Sequence, residues 1–139
     1  MNDPYNLNRF LLAQAPAIAH VSVELRAGKK RSHWMWFVFP QIAGLGRSET
    51  AQRYAIASLD EARAYLAHDI LGPRLKECGA LVNAVEGCAI AEILGTPDDL
   101  KFHSSMTLFA RAAPDEPVFK QALQKYFGGE EDQATLERI

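Results

Sequence analysis

Apolar residues along this chain recur at three- and four-residue intervals, the spacing of one face of an α-helix. Leu7, Phe10 and Leu11 mark a first helix over Tyr5 to Gln14, which Pro16 interrupts. Pro16 then suits the first turn of a second helix carrying Ile18, Val21 and Leu25 and stopped by Gly28. Ser58 to Glu61 reads as a capping box that opens a helix over Leu59 to His68, with Ala62, Tyr65 and Leu66 as its stripe. Gly72-Pro73 breaks the chain and restarts it, and Leu75, Cys78, Leu81, Val82 and Val85 follow at helical spacing up to Gly87. A short helical segment over Ala89 to Leu94 stops at Gly95. Thr96-Pro97-Asp98-Asp99 supplies a capping residue, a proline at the first helical position and acids near the positive end of the dipole, and predicts a helix to about Ala112. Beyond Pro114 and Pro117, Val118 to Phe127 forms another helix closed by Gly128-Gly129, and Asp132 to Ile139 forms a last one.

Strand signals are sparse. The ambiguous stretch is Trp34 to Phe39, six consecutive apolar residues; a lone strand there would leave its backbone unpaired, so it reads as a short helix ended by Pro40. The expectation is an all-α fold, a single domain over residues 1–139, built as a compact array of about seven or eight short helices.

Composition narrows the function classes. The chain has 139 residues, the size of one domain, with 48% hydrophobic and 23% charged residues, a globular balance and not a disordered one. No apolar run approaches the roughly 18 residues of a membrane span, and Met1 to Phe10 carries no signal-like apolar stretch. Cys78 and Cys88 form no Cys-x-x-Cys pattern and read as two small buried hydrophobes of a reducing compartment, so a cytoplasmic location is expected. A net charge of −2 supplies no global field for nucleic acid or an anionic membrane. His20, His33, His68 and His103 are scattered, so no metal site is expected, and no cofactor motif is found.

The segment richest in chemistry is Gly28 to Gln41. Lys29, Lys30 and Arg31 precede His33, and Trp34, Trp36, Phe37 and Phe39 follow. Cations beside aromatic rings suit a planar anion, and they equally suit a solvated loop leading into core anchors. Gly44-Leu45-Gly46-Arg47-Ser48 lacks the spacing of a phosphate loop and reads as a flexible turn with Ser48 capping the next helix. On the helix from Asp98, Ser104 lies in line with Leu100 and Leu108, and Ser105 lies beside Phe102 and Phe109. Such serines either bond back to a carbonyl one turn earlier or line a pocket. No base and oxyanion motif accompanies them, which argues against acyl transfer.

The run Lys30 to Gln41, with Gly44-Leu45-Gly46 and Ser48, resembles the domain of unknown function 1810 family, a bacterial family sometimes labelled "calpastatin". Tyr54-Ala55-Ile56, Glu61-Ala62, Tyr65-Leu66, Leu71-Gly72, Arg74-Leu75, Lys101 and Ser104 to Phe109 extend the resemblance over nearly the whole chain. It implies a compact, mainly helical fold and no established reaction, cofactor or catalytic residue. The inhibitor label conflicts with the pattern, because calpastatin-type inhibitors act through disordered segments and this chain is capped and apolar throughout.

The leading expectation is a small anionic or nucleotide-like ligand held in a groove between residues 31–41 and the helix over 97–112. There Arg31 and Lys101 would neutralise charge, His33 and Gln41 would hydrogen-bond, Trp34 or Trp36 would stack, and Ser104 or Ser105 would line the floor. His33 is the first general acid–base candidate. The alternative is a protein-interaction module with an exposed aromatic patch.

Overall fold

Ten helical segments make up the computed structural model, which describes residues 2–139: α1 (Asn8–Gln14), α2 (Ile18–Arg26), α3 (Met35–Val38), α4 (Glu49–Arg53), α5 (Leu59–Ala67), α6 (Leu71–Ala84), α7 (Ile90–Leu94), α8 (Asp98–Ala112), α9 (Pro117–Phe127) and α10 (Gln133–Leu136). The all-helical expectation holds. The count is higher than seven or eight, and four of the ten, α3, α4, α7 and α10, are five residues or shorter. Residues 34–39 resolve as expected into the single turn α3, which ends before Pro40. No strand forms among the described residues. One isolated parallel bridge joins Ile42 to Ile56, and it closes the intervening loop through Ala43 N–H to the Ile56 carbonyl and Ile56 N–H to the Gln41 carbonyl, both 2.8 Å.

Local chemistry accounts for several helix ends. Ser48 and Ser58 accept hydrogen bonds from the N–H groups of Ala51 and Glu61 as N-caps, but the capping box expected at Ser58 is only half formed, because the Glu61 carboxylate accepts the Ala57 N–H at 3.0 Å instead of that of Ser58. Gly128 adopts the left-handed conformation that ends α9. Two expectations are corrected. Gly72-Pro73 does not break the chain; α6 runs through it from Leu71, because a proline in the first turn has no intrahelical bond to lose. The break lies earlier, where the His68 Nδ1 accepts the N–H groups of Ile70 and Leu71 at 3.1 and 3.2 Å. Thr96 does not cap α8 either: Pro97 occupies the N-cap position and no side chain caps that end.

The core is organised around α8, in which every residue from Ser104 to Ala110 is buried. It packs against α9, α5, α7 and α10, while α6 packs on α9, α2 and α5. Phe102 meets Phe39 edge-on at 5.0 Å, Phe109 meets Tyr65 at 5.5 Å, and Tyr65 meets Phe10 at 5.1 Å. These rings are fully buried, and each contributes about 1.5–3 kcal/mol through burial alone. Polar links complete the frame. The Arg9 guanidinium bonds the carbonyls of Tyr5, Asn6, Arg53 and Ala55 and pairs with buried Glu61 at 2.8 Å, tying the N-terminal segment to the chain before α5.

Candidate functional site

The Lys29-to-Trp34 loop is held from below by one carboxylate. Glu24, on the inner face of α2, accepts from the backbone N–H of Arg31 at 2.7 Å, the N–H of Ser32 at 3.0 Å, the Ser32 hydroxyl, and the indole Nε1–H of Trp34 at 2.9 Å. Burial alone would push the Glu24 carboxyl up. The donors from Ser32, Arg31 and Trp34 together outweigh that and hold it at about 2. The loop is therefore braced around a permanent anion at neutral pH, and its outward side chains have a fixed platform.

Those outward side chains are Arg31 and His33, both exposed and without a side-chain hydrogen bond or ion pair among the described residues. Lys30 turns the other way. Its ammonium lies 5.1 Å from the Trp34 ring centre and 2.9 Å from an Asp98 oxygen. Asp98 also meets Lys101 at 3.5 Å, and the Lys101 ammonium stands 4.8 Å over the half-buried ring of Trp36. Residues 31–41 and α8 thus face one another across Lys30, Asp98, Lys101 and the Phe39–Phe102 ring pair, and these side chains occupy the space between them.

The expected site residues divide into two groups. Arg31, His33, Trp36, Gln41 and Lys101 reach solvent wholly or in part. Trp34 is 1% exposed with its Nε1–H committed to Glu24, so stacking on a ligand falls to Trp36. Ser104 is buried and tied to the Leu100 carbonyl and to Asp132, both at 3.1 Å. Ser105 is fully buried, one helical turn beyond Lys101, and its hydroxyl has no hydrogen-bond partner among the described residues.

Three residues that shape this region escape sequence reasoning. Glu24 sits in an apolar stripe as a single acid, a signal that a buried partner was waiting, but the partner's position is not encoded locally. Asp98 reads as helix-start charge and also bridges two lysines. Asp132 reads as part of an acidic turn, yet its carboxylate accepts from Ser104 Oγ, Thr135 N–H and Thr135 Oγ1. Arg31, His33, Trp36, Gln41 and Lys101 line none of four open surface clefts among the described residues. One of them, about 380 Å³, borders the start of the loop between Gly28, Lys29, Lys30, Cys88, Glu92 and Gly95.

The model of a family described as "Protein of unknown function (DUF1810)" matches residues 4–139. The chain belongs to the DUF1810 family. A crystal structure of a relative, the conserved hypothetical protein Rv1873 from Mycobacterium tuberculosis, is 61% identical, covers 97% of this chain and 96% of its own, and superposes with a TM-score of 0.96. No curated protein matches the chain. Membership in DUF1810 agrees with the resemblance carried by the Lys30-to-Gln41 run and brings a helical fold without an assigned reaction. Among the described residues no helix is long and apolar enough to cross a membrane, and no group of three or more His, Cys, Asp or Glu could hold a metal ion.

Proposed function

We propose that this domain binds a small anionic, nucleotide-like ligand on the open face formed by Arg31, His33, Trp36, Gln41 and Lys101. The observation that carries the reading is the half-buried Trp36 ring under the Lys101 ammonium, in the same segment as exposed Arg31 and His33, whose loop is braced by Glu24. A flat π-surface stacks on a base, the cations meet phosphate or carboxylate, and a braced loop loses little entropy on binding. An open face holds its ligand by few contacts, so dissociation constants in the range of about 10 µM to 1 mM are expected. His33 is the first candidate for a general acid–base role on a bound ligand.

Thermal unfolding in the presence of nucleotides, dinucleotides, sugar phosphates and dicarboxylates tests this. A ligand at about 100 times its dissociation constant adds about 2.7 kcal/mol of stability. Stabilisation by one class, lost in Arg31→Ala and in Trp36→Ala, supports the reading. No stabilisation by any class, or a stabilisation that both variants keep, overturns it. A second reading, a protein-interaction face, draws on Leu100, which is 61% exposed immediately before Lys101.

A further inference from the structure

A surface cleft of about 470 Å³ lies between the last turn of α8, one face of α9 and the turn that joins α9 to α10. The sequence explains its walls. Lys120, Leu123 and Gln124 share a face of α9 because steps of three and four residues return to the same side. Gly128 and Gly129 both adopt positive φ, 62° and 82°, and reverse the chain so that Glu131 comes back to Arg111 at the end of α8. A Cβ at Gly129 would stand 2.8 Å from the Gln124 Oε1, so the turn lies directly against that side chain. Ala110, Leu123 and Pro114 supply the apolar lining, and no aromatic ring borders the cleft.

The charges on this cleft do not balance. Glu131 accepts from Arg111 Nε and Nη2 at 2.6 and 2.8 Å, which fixes one edge of the guanidinium and leaves Nη1 without a partner among the described residues. Of the two cations on α9, Lys125 donates to the carbonyls of Asn83 and Val85 and pairs with Glu86. Lys120, the one on the cleft, has no hydrogen-bond or ion-pair partner among the described residues. Arg111 and Lys120 against Glu131 therefore leave one positive charge to be met.

We propose that this cleft binds a small aliphatic monocarboxylate, with its carboxylate between the open edge of Arg111 and Lys120 and its hydrocarbon part on Ala110, Leu123 and Pro114. A guanidinium fork matches a carboxylate in shape, and Arg111 already holds one carboxylate in that manner along its other edge. Because Glu131 holds the guanidinium in place, little freedom is lost when a second anion docks. Glu131 also selects against a second negative charge, so phosphate and dicarboxylates are disfavoured. With no ring to stack on, the cleft does not suit a nucleotide base. It is a separate site from the Trp36 face, whose Lys101 lies about 15 Å back along α8.

Titration of the isotope-labelled chain with sodium hexanoate at constant ionic strength, followed by amide nuclear magnetic resonance, tests the proposal. Saturable shifts are expected at the amides of residues 110–114 and 120–131, with a dissociation constant of about 1–10 mM. Hexanamide and inorganic phosphate are expected to bind at least about fivefold more weakly, since the first lacks the charge and the second carries too much. Arg111→Ala is expected to weaken hexanoate about tenfold and Lys120→Ala about threefold, while Lys120→Arg keeps it. Lys120 is exposed and holds nothing in the fold, so its loss reads on binding and not on structure. The proposal is overturned by the absence of a saturable shift up to about 50 mM hexanoate. Shifts centred on Trp36 and Lys101 overturn it as well, as do affinities that both alanine variants retain. Hexanamide or phosphate binding as tightly as hexanoate sinks it equally.

Discussion

Glu24 shows how one buried acid organises what lies above it. In the fold its carboxyl titrates at about 2, against an ordinary value of 4.5, so the charged form is the one the fold favours. Its contribution is complete above about pH 4.5 and is lost as pH falls toward 2, and the difference corresponds to about 3 kcal/mol. Urea unfolding at pH 7 and pH 3 is expected to show about two-thirds of that loss in the unmodified chain and a shallower acid limb in Glu24→Gln. At pH 7 the same variant is expected to be less stable by about 2–4 kcal/mol, since an amide cannot accept four donors. The sequence made the cation–aromatic segment legible as a segment. It did not make legible which tryptophan faces inward. Trp34 and Trp36 are two residues apart and point to opposite sides, and the choice between them rests on a hydrogen bond to an acid ten residues earlier.

Among elements, punctuation is legible where a side chain or glycine acts within its own turn and illegible where the partner lies elsewhere. Ser48, Ser58 and Gly128 act locally and end or begin helices as their residue types require. Gly72 resembles a breaker in sequence because glycine and proline adjoin there, but its role is steric. A Cβ at Gly72 would stand 2.0 Å from the Leu66 carbonyl oxygen, so α5 and α6 meet at a corner that only glycine permits. Gly72→Ala is expected to destabilise the protein by about 3 kcal/mol, read from the urea midpoint. The C-terminal element depends instead on polar contacts. Asp132 caps α10 and receives Ser104 from α8, while its own N–H reaches the Thr107 hydroxyl at 2.9 Å. The serine pair on α8 therefore has one member that fastens the tail, a use of the apolar-stripe hydroxyl that spacing alone did not separate from pocket lining. Asp132→Ala is expected to cost about 2 kcal/mol and to speed amide exchange over residues 133–139 while α8 stays protected.

At the scale of the molecule, both ends of the described chain are fastened to the centre, the first segment through Arg9 and Glu61 and the last through Asp132 and the Arg111–Glu131 pair, whose shorter contact is 2.6 Å. Arg9→Ala is expected to lower the unfolding midpoint more than Arg111→Ala, because it orphans a buried acid and several carbonyls where the second loses only a largely exposed pair. The all-helical class and the family are legible because helical periodicity and local motifs suffice for them. The way the helices close on one another was not, because it is written in pairings such as Arg9 with Ala55 or Phe39 with Phe102, far apart along the chain. The two indoles of the loop segment also give the molecule its own optics. Trp34 is sealed and bonded to a carboxylate, while Trp36 is half-open beneath an ammonium, so their emission is expected to separate into a shielded blue component and a quencher-accessible red one. In Trp34→Phe the remaining fluorescence is expected to be quenched by iodide, in Trp36→Phe it is expected to resist, and a ligand stacked on the open face would dim the first signal while leaving the second as an internal reference.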